Sequence, residues 1–153
     1  MEIVIQNYHI RTFCPEDAQD LHKVLGDPAV MRYIEPPFTR EQTAAFLQVN
    51  GLDLPHRIYA LADEDDRVVG QVIFHPYEGD AWEIGWIIRR DCWGRGIASA
   101  VTKVLIDHCR EQGVRQCVIE CHPRQAVTRH IAEKHGFSRI EDRDGLVCYS
   151  LTL

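Results

Sequence analysis

A mixed α/β sheet with helices on both faces is the fold this sequence predicts, and three observations predict it. An apolar, β-branched run from Ile84 to Ile88 passes through the basic pair Arg89-Arg90 and two glycines, Gly94 and Gly96, into helical spacing; this is a strand, a tight turn and a helix start. A second strand-like run, Val114 to His122, follows that helix, so the two strands are joined by a helical crossover and run parallel. The chain closes on two more strand-like runs around Asp144-Gly145, a favoured hairpin turn pair.

The elements follow in order. Ile3 to Phe13 predicts a first strand, interrupted by polar residues. Pro15 opens a helix whose apolar positions Ala18, Leu21, Val24 and Leu25 continue to Gly26. Asp27-Pro28 punctuates, Met31 to Pro37 is irregular, and Thr39 caps a second helix with Gln42 three places on. Arg57 to Ala62 and Val68 to His75 are strands joined by the solvated acidic turn Asp63 to Asp66, and Tyr77 to Asp80 turns the chain into the strand Trp82 to Ile88. Ile97, Val101, Val104, Leu105 and His108 then fall at offsets of three and four, with Arg110 against the negative dipole end and Gly113 at the stop. Arg124 to His135 is the last helix, ended by Gly136, before Phe137 to Glu141 pairs with Leu146 to Leu151. This makes about seven strands and four helices.

A length of 153 residues fits one domain, 1–153, with a single core. No apolar run approaches the ~20 residues of a membrane span, and Met1-Glu2-Ile3 has an early acid and no basic leader. The expectation is a cytoplasmic protein, monomer or homodimer, with no membrane partner. A net charge of −6 disfavours nucleic acid and suits a cationic amine. The six cysteines are scattered, as free buried thiols are. Cys117, Cys121 and His122 lie close in sequence but form no Cys-x-x-Cys pair, so no metal site is expected.

The helix start at Gly94 to Ala98 carries the chemistry. Such a tip leaves about four N–H groups without partners and roughly half a positive charge. Glycine lets a phosphate oxygen approach the amides, and Arg95 adds a direct charge, so a phosphorylated cofactor suits the tip; an ordinary strand-to-helix turn is the plain alternative. Ile97 and Ala98 stand where a P-loop needs Lys and Ser or Thr, which excludes that motif. A dinucleotide fingerprint stays open, with Ser99 as its third small residue and Glu120 as its ribose acid.

Trp93-Gly94-Arg95-Gly96-Ile97-Ala98 resembles the pyrophosphate loop of the GNAT superfamily of acyl-CoA-dependent N-acetyltransferases, with Trp93 departing at the first place. That Trp is similar to the branch of ribosomal-protein N-terminal acetyltransferases. So are Pro15-Glu16-Asp17-Ala18, Glu83-Ile84-Gly85-Trp86, Gln125-Ala126-Val127-Thr128 and Glu133-Lys134-His135-Gly136-Phe137. The resemblance spans almost the whole chain.

It implies a GNAT-like fold in which the two parallel strands splay and the pantetheine of acetyl-CoA lies between them. It further implies transfer of an acetyl group to a primary amine, either a protein or peptide α-amine or a small amine, in a ternary complex. Cofactor contacts then fall on the backbone of Ile88 and Arg90, on Arg95, Gly96, Ala98 and Ser99, and on Gln125. Glu83 matches the branch's carboxylate and is the candidate base; a structural carboxylate is its alternative, and Glu120, His122 and His130 stand behind it. The family's acid tyrosine position is Ala132 here, so Thr128, where the branch has Ser, is the candidate donor to the sulfur, with Tyr149 second. Helix capping is the alternative for Gln125 and Thr128. The segment before the second helix forms the acceptor wall in this family, placing Tyr33, Glu35 and Phe38 against the substrate. A non-catalytic acyl-CoA-binding or interaction module is the other function class left open, because of Ala132, Gln125 and Thr128.

Overall fold

The structure, a computed structural model, describes residues 1–153. Its elements are β1 (Ile3–Ile5), β2 (Tyr8–Arg11), α1 (Ala18–Leu25), α2 (Pro28–Met31), α3 (Arg40–Leu47), β3 (Ile58–Ala62), β4 (Val68–Pro76), β5 (Ala81–Ile88), α4 (Ile97–Glu111), β6 (Gln116–Cys121), α5 (Ala126–Lys134), β7 (Ser138–Arg139) and β8 (Val147–Thr152). All strands join one sheet in the order β1-β2-β3-β4-β5-β6-β8-β7. β5 and β6 are its parallel pair, with α4 as the crossover. No helix is long and apolar enough to cross a membrane.

Two expectations need correction, and both raise the element count to eight strands and five helices. The first strand is a hairpin: Ile5 stands opposite Tyr8, and Gln6 turns the chain at a φ of 50°, a left-handed conformation that Gln takes here in place of the usual Gly. The irregular segment after Asp27 includes a one-turn helix. Asp27 Oδ1 accepts from the Ala29 N–H at 2.9 Å, and Pro28 at the first position has its φ already set. The Thr39–Gln42 capping box forms as expected: Thr39 Oγ1 accepts from Gln42 N–H at 3.1 Å, and Gln42 Oε1 accepts from Thr39 N–H at 2.9 Å.

The sheet separates two apolar layers instead of enclosing one core. Strand alternation sends Val72, Phe74, Ile84 and Ile119 to the face covered by α4, where Val101, Leu105 and Cys109 meet them. It sends Ile58 and Ala60 to the opposite face, where the register shift beside Ala62 also brings Val68, against Leu21, Val24, Leu25 and Leu47 of α1 and α3. All six cysteines are free thiols and only Cys14 is exposed. Burial pushes the Cys121 thiol up to about 11, which keeps it protonated and unreactive at neutral pH.

Gly70 marks the closest strand approach: a Cβ there would stand 2.5 Å from the Ile87 carbonyl oxygen. Backbone cannot yield as a side chain can, so Gly70→Ala is expected to cost about 1–3 kcal/mol, read as a lowered midpoint in urea unfolding; an unchanged midpoint would contradict the packing of β4 on β5.

Candidate active site

The site begins where a ladder stops. Parallel pairing of β5 with β6 covers Ala81 with Gln116, Trp82 with Cys117 and Glu83 with Val118, and goes no further. β5 continues to Ile88 against β4, while Ile119, Glu120 and Cys121 pair with β8. The Arg89 N–H donates to the Val69 carbonyl at 2.7 Å. By the alternation of an antiparallel ladder, Ile87, Gly85 and Glu83 also spend their backbone groups on β4. Ile84, Trp86 and Ile88 therefore aim theirs toward β6, across the gap. The Ile88 carbonyl accepts from Trp93 Nε1 at 2.9 Å, and the Trp86 and Ile88 amides face the opening.

Beyond β5 the chain turns through Gly94 and Gly96, both at left-handed φ (75° and 76°), where a Cβ would meet nothing within 4 Å. This is open backbone over the tip of α4. The first helical bond is Ala100 N–H to Gly96 O at 3.1 Å, so the amides of Ile97, Ala98 and Ser99 are the orphan donors. The surroundings are cationic. Arg95 is exposed and reaches Tyr8 Oη at 3.5 Å. Lys134 Nζ donates to Ser99 Oγ at 3.1 Å, and Ser99 Oγ lies 2.9 Å from His135 Nε2. Burial first, then Lys134 and Lys103, hold the His135 imidazole below its usual range. What Ser99 offers at the tip is its amide.

Two clefts flank β5. The first, about 230 Å³, opens into the β5/β6 gap and is lined by Glu83, Trp86, Glu120, Gln125, Thr128 and Tyr33 among others. The second, about 240 Å³, lies between the sheet and α1–α3 and includes Glu35, Phe38, Arg57, Gln71, His75 and again Glu83. Glu83 is thus at the junction. Its Oε2 stands 2.7 Å from His75 Nε2, and His75 Nδ1 donates to the Pro76 carbonyl at 2.8 Å. A carbonyl only accepts, so Nδ1 carries a hydrogen. The other ring nitrogen, Nε2, is the one that faces Glu83.

The other first-cleft groups divide by what binds them. Glu120 accepts from the Tyr77 hydroxyl, whose pKa burial and then Glu120's charge push far above the phenolic range, so that proton stays on Tyr77. Gln125 Oε1 accepts from the His122 N–H at 2.8 Å and does not cap α5. Thr128 is half-buried on the first turn of α5 and lines the cleft. Tyr33 stacks on the His122 ring at 5.0 Å between centroids, and both line the first cleft.

The sequence and the fold can now be set beside known proteins. The acetyltransferase (GNAT) domain model matches residues 8–138. The chain belongs to the GNAT acetyltransferase family. The uncharacterized N-acetyltransferase YnaD of Bacillus subtilis is 27% identical over 142 residues, spanning 91% of this chain and 84% of that one. Among solved structures, a GNAT-family acetyltransferase from Bacillus anthracis superposes with a TM-score of 0.87 at 24% identity, covering 99% of this chain and 98% of its own. The ribosomal L7/L12 α-N-protein acetyltransferase RimL, in complex with coenzyme A, superposes with a TM-score of 0.84 at 22% identity over 100% of this chain and 98% of that one.

Within this GNAT acetyltransferase, the fold gathers Glu83, Thr128, Gln125 and Tyr33 at the first cleft and Glu35 and Phe38 at the second. Ile88, Arg95, Gly96, Ala98 and Ser99 lie along β5 and the α4 tip, whereas the Arg90 side chain turns away to Asp27, Nε to Oδ2 at 3.3 Å. Tyr149 lies elsewhere: buried, its hydroxyl accepts from Arg129 Nε and donates to Glu133 Oε1, both at 3.1 Å. Ala132 is buried and has nothing to donate. His130 is exposed and lines neither cleft. Sequence reasoning missed His75, Arg57 and Gln71. Counting outward from the Tyr77–Asp80 turn sets His75 opposite Trp82, one residue off; the connection runs from Tyr77 to Ala81 and puts His75 opposite Glu83.

The Pro76 contact fixes the tautomer. Long-range proton–nitrogen spectra should show His75 keeping its Nδ1 hydrogen across neutral pH; a neutral ring with its hydrogen on Nε2 alone would contradict the geometry.

Proposed function

We propose that this enzyme moves an acetyl group from acetyl-CoA to a primary amine, a protein or peptide α-amine or a small amine, with both substrates bound at once. Glu83 carries the reading, because it stands where the cleft of the splayed strands meets the cleft beside α1–α3. Acetyl-CoA, when bound, supplies the acetyl group already activated as a thioester. The free amides of Ile97, Ala98 and Ser99, with Arg95, suit a pyrophosphate. The backbone of Trp86 and Ile88 suits an amide-bearing chain laid in the gap like a missing strand, with Arg90 at its outer end and Gln125 across from it. The dinucleotide alternative loses its ribose acid, since Glu120 faces the first cleft and is held by Tyr77.

The residues have a division of labour. Aliphatic amines have pKa values near 10.4 and peptide α-amines near 8, so the acceptor must lose a proton before it attacks. Glu83 takes that proton, with His75 behind it. Ile88 N–H meets the carbonyl oxygen as it gains charge, a donor worth roughly 3–4 kcal/mol of barrier. The C–N bond forms, the C–S bond breaks, and the Thr128 hydroxyl donates to the departing sulfur. Tyr33, Glu35 and Phe38 frame the acceptor's approach, and the RimL likeness supports an α-amine there.

Release of CoA thiol from acetyl-CoA in the presence of an amine panel tests the activity. Glu83→Gln should lower kcat/KM roughly 10²- to 10⁴-fold while calorimetry finds CoA bound as tightly as by the wild type; Thr128→Ala should lower kcat by less. Wild-type turnover by both variants would overturn the assignment of these roles.

A further inference from the structure

The second cleft holds two opposite charges side by side that do not pair with each other. Both meet His75 Nε2: Glu83 Oε2 at 2.7 Å and Arg57 Nη2 at 3.4 Å. Yet no carboxylate stands within 4.0 Å of the Arg57 guanidinium, whose one side-chain hydrogen bond is the contact with His75. A third polar group waits beside them: Gln71, 2% exposed, has an Oε1 with no hydrogen-bond partner. A buried acceptor without a partner is costly, and a ligand N–H would satisfy it. The register explains the grouping, since Gln71, Ile73 and His75 of β4 stand opposite Ile87, Gly85 and Glu83 of β5 and share their face. Leu25, Met31, Phe38 and Phe46 give the cleft an apolar wall, and Glu35 and Asn50 also line it.

We propose that the acceptor is a free α-amino acid with an apolar side chain. Its carboxylate sits on Arg57, its amine lies between Glu83 and Gln71, and its side chain packs against Phe38, Phe46, Leu25 and Met31. A zwitterion has its two charges one carbon apart, the complement of a carboxylate and a guanidinium separated by one imidazole nitrogen. Arginine binds carboxylates through two parallel N–H bonds. The cleft volume of about 240 Å³ falls below the roughly 300–1,000 Å³ of sites for drug-sized ligands, a size for one residue. The assignment rests on the acetyl-transfer reading of the same site. The products are an N-acetyl amino acid and CoA thiol: the ammonium gives one proton to Glu83 and attacks as the amine, the C–N bond forms, the C–S bond breaks, and the second proton lost from nitrogen ends on the departing sulfur.

The test compares free leucine, phenylalanine and methionine with their amides, with the corresponding decarboxylated amines, and with peptides that begin with the same residues. The wild type should favour the free acids by roughly 10- to 100-fold in kcat/KM, the worth of a charge-assisted contact. Arg57→Ala should bring the free acid down to its amide through a raised KM, with Arg57→Lys between. Amides or peptides acetylated as well as the free acids, or a preference that survives Arg57→Ala, would overturn the amino-acid assignment and leave the acetyl-transfer site standing. Failure of CoA to bind would overturn the site, and this assignment with it.

Discussion

Two parallel strands that stop pairing halfway organise this molecule. Hydrogen bonds hold β5 to β6 from Ala81 to Glu83, and from there the strands follow different partners, β5 staying with β4 and β6 with β8. Backbone groups that face an opening must find water or a ligand, so the divergence turns the middle of a sheet into a binding edge. The same divergence exposes Glu83, the last paired residue, at the head of the gap. The α4 tip lies in line with this edge because α4 begins a few residues after β5 ends, past glycines whose left-handed φ leaves the amides uncovered.

The two faces of the sheet divide the work. One is closed by α4 and α5 over a core that includes Leu105, Ile119 and Tyr149, and this rigid layer fixes where β5 and β6 separate. The other is covered only in part by α1 and α3, and the uncovered part is the cleft of Arg57, Gln71 and His75. Glu83 sits between them, 2.7 Å from His75, and one carboxylate therefore faces both clefts. Glu120, close by, is held by Tyr77, which separates a carboxylate with a structural partner from one facing both clefts.

Much of this was legible in the residues. Ile84 to Ser99 reads correctly because its signals are local: an apolar strand run, then glycines, then helical spacing, and the Thr39–Gln42 box reads for the same reason. The β1/β2 hairpin did not, because Gln6 takes a left-handed φ that a glycine would have advertised. Helix α2 is too short to show a period. Glu83, Thr128, Gln125 and Tyr33 came together from motif resemblance, not from periodicity. The Ser99 hydroxyl was harder to read, since its partners Lys134 and His135 lie on the far side of β6 in sequence. Arg57 and Gln71 carry no motif; only strand register brings them to Glu83, and register is a property of the folded sheet.

Amide hydrogen exchange tests the divergence of β5 and β6 most directly. In the free protein the Trp86 and Ile88 amides should exchange far faster than those of Gly85 and Ile87, which β4 protects, and adding coenzyme A should slow Trp86 and Ile88 selectively. Equal protection of all four amides in the free protein, or no change on adding coenzyme A, would mean that the strands are closed or that the ligand lies elsewhere, and would contradict this account.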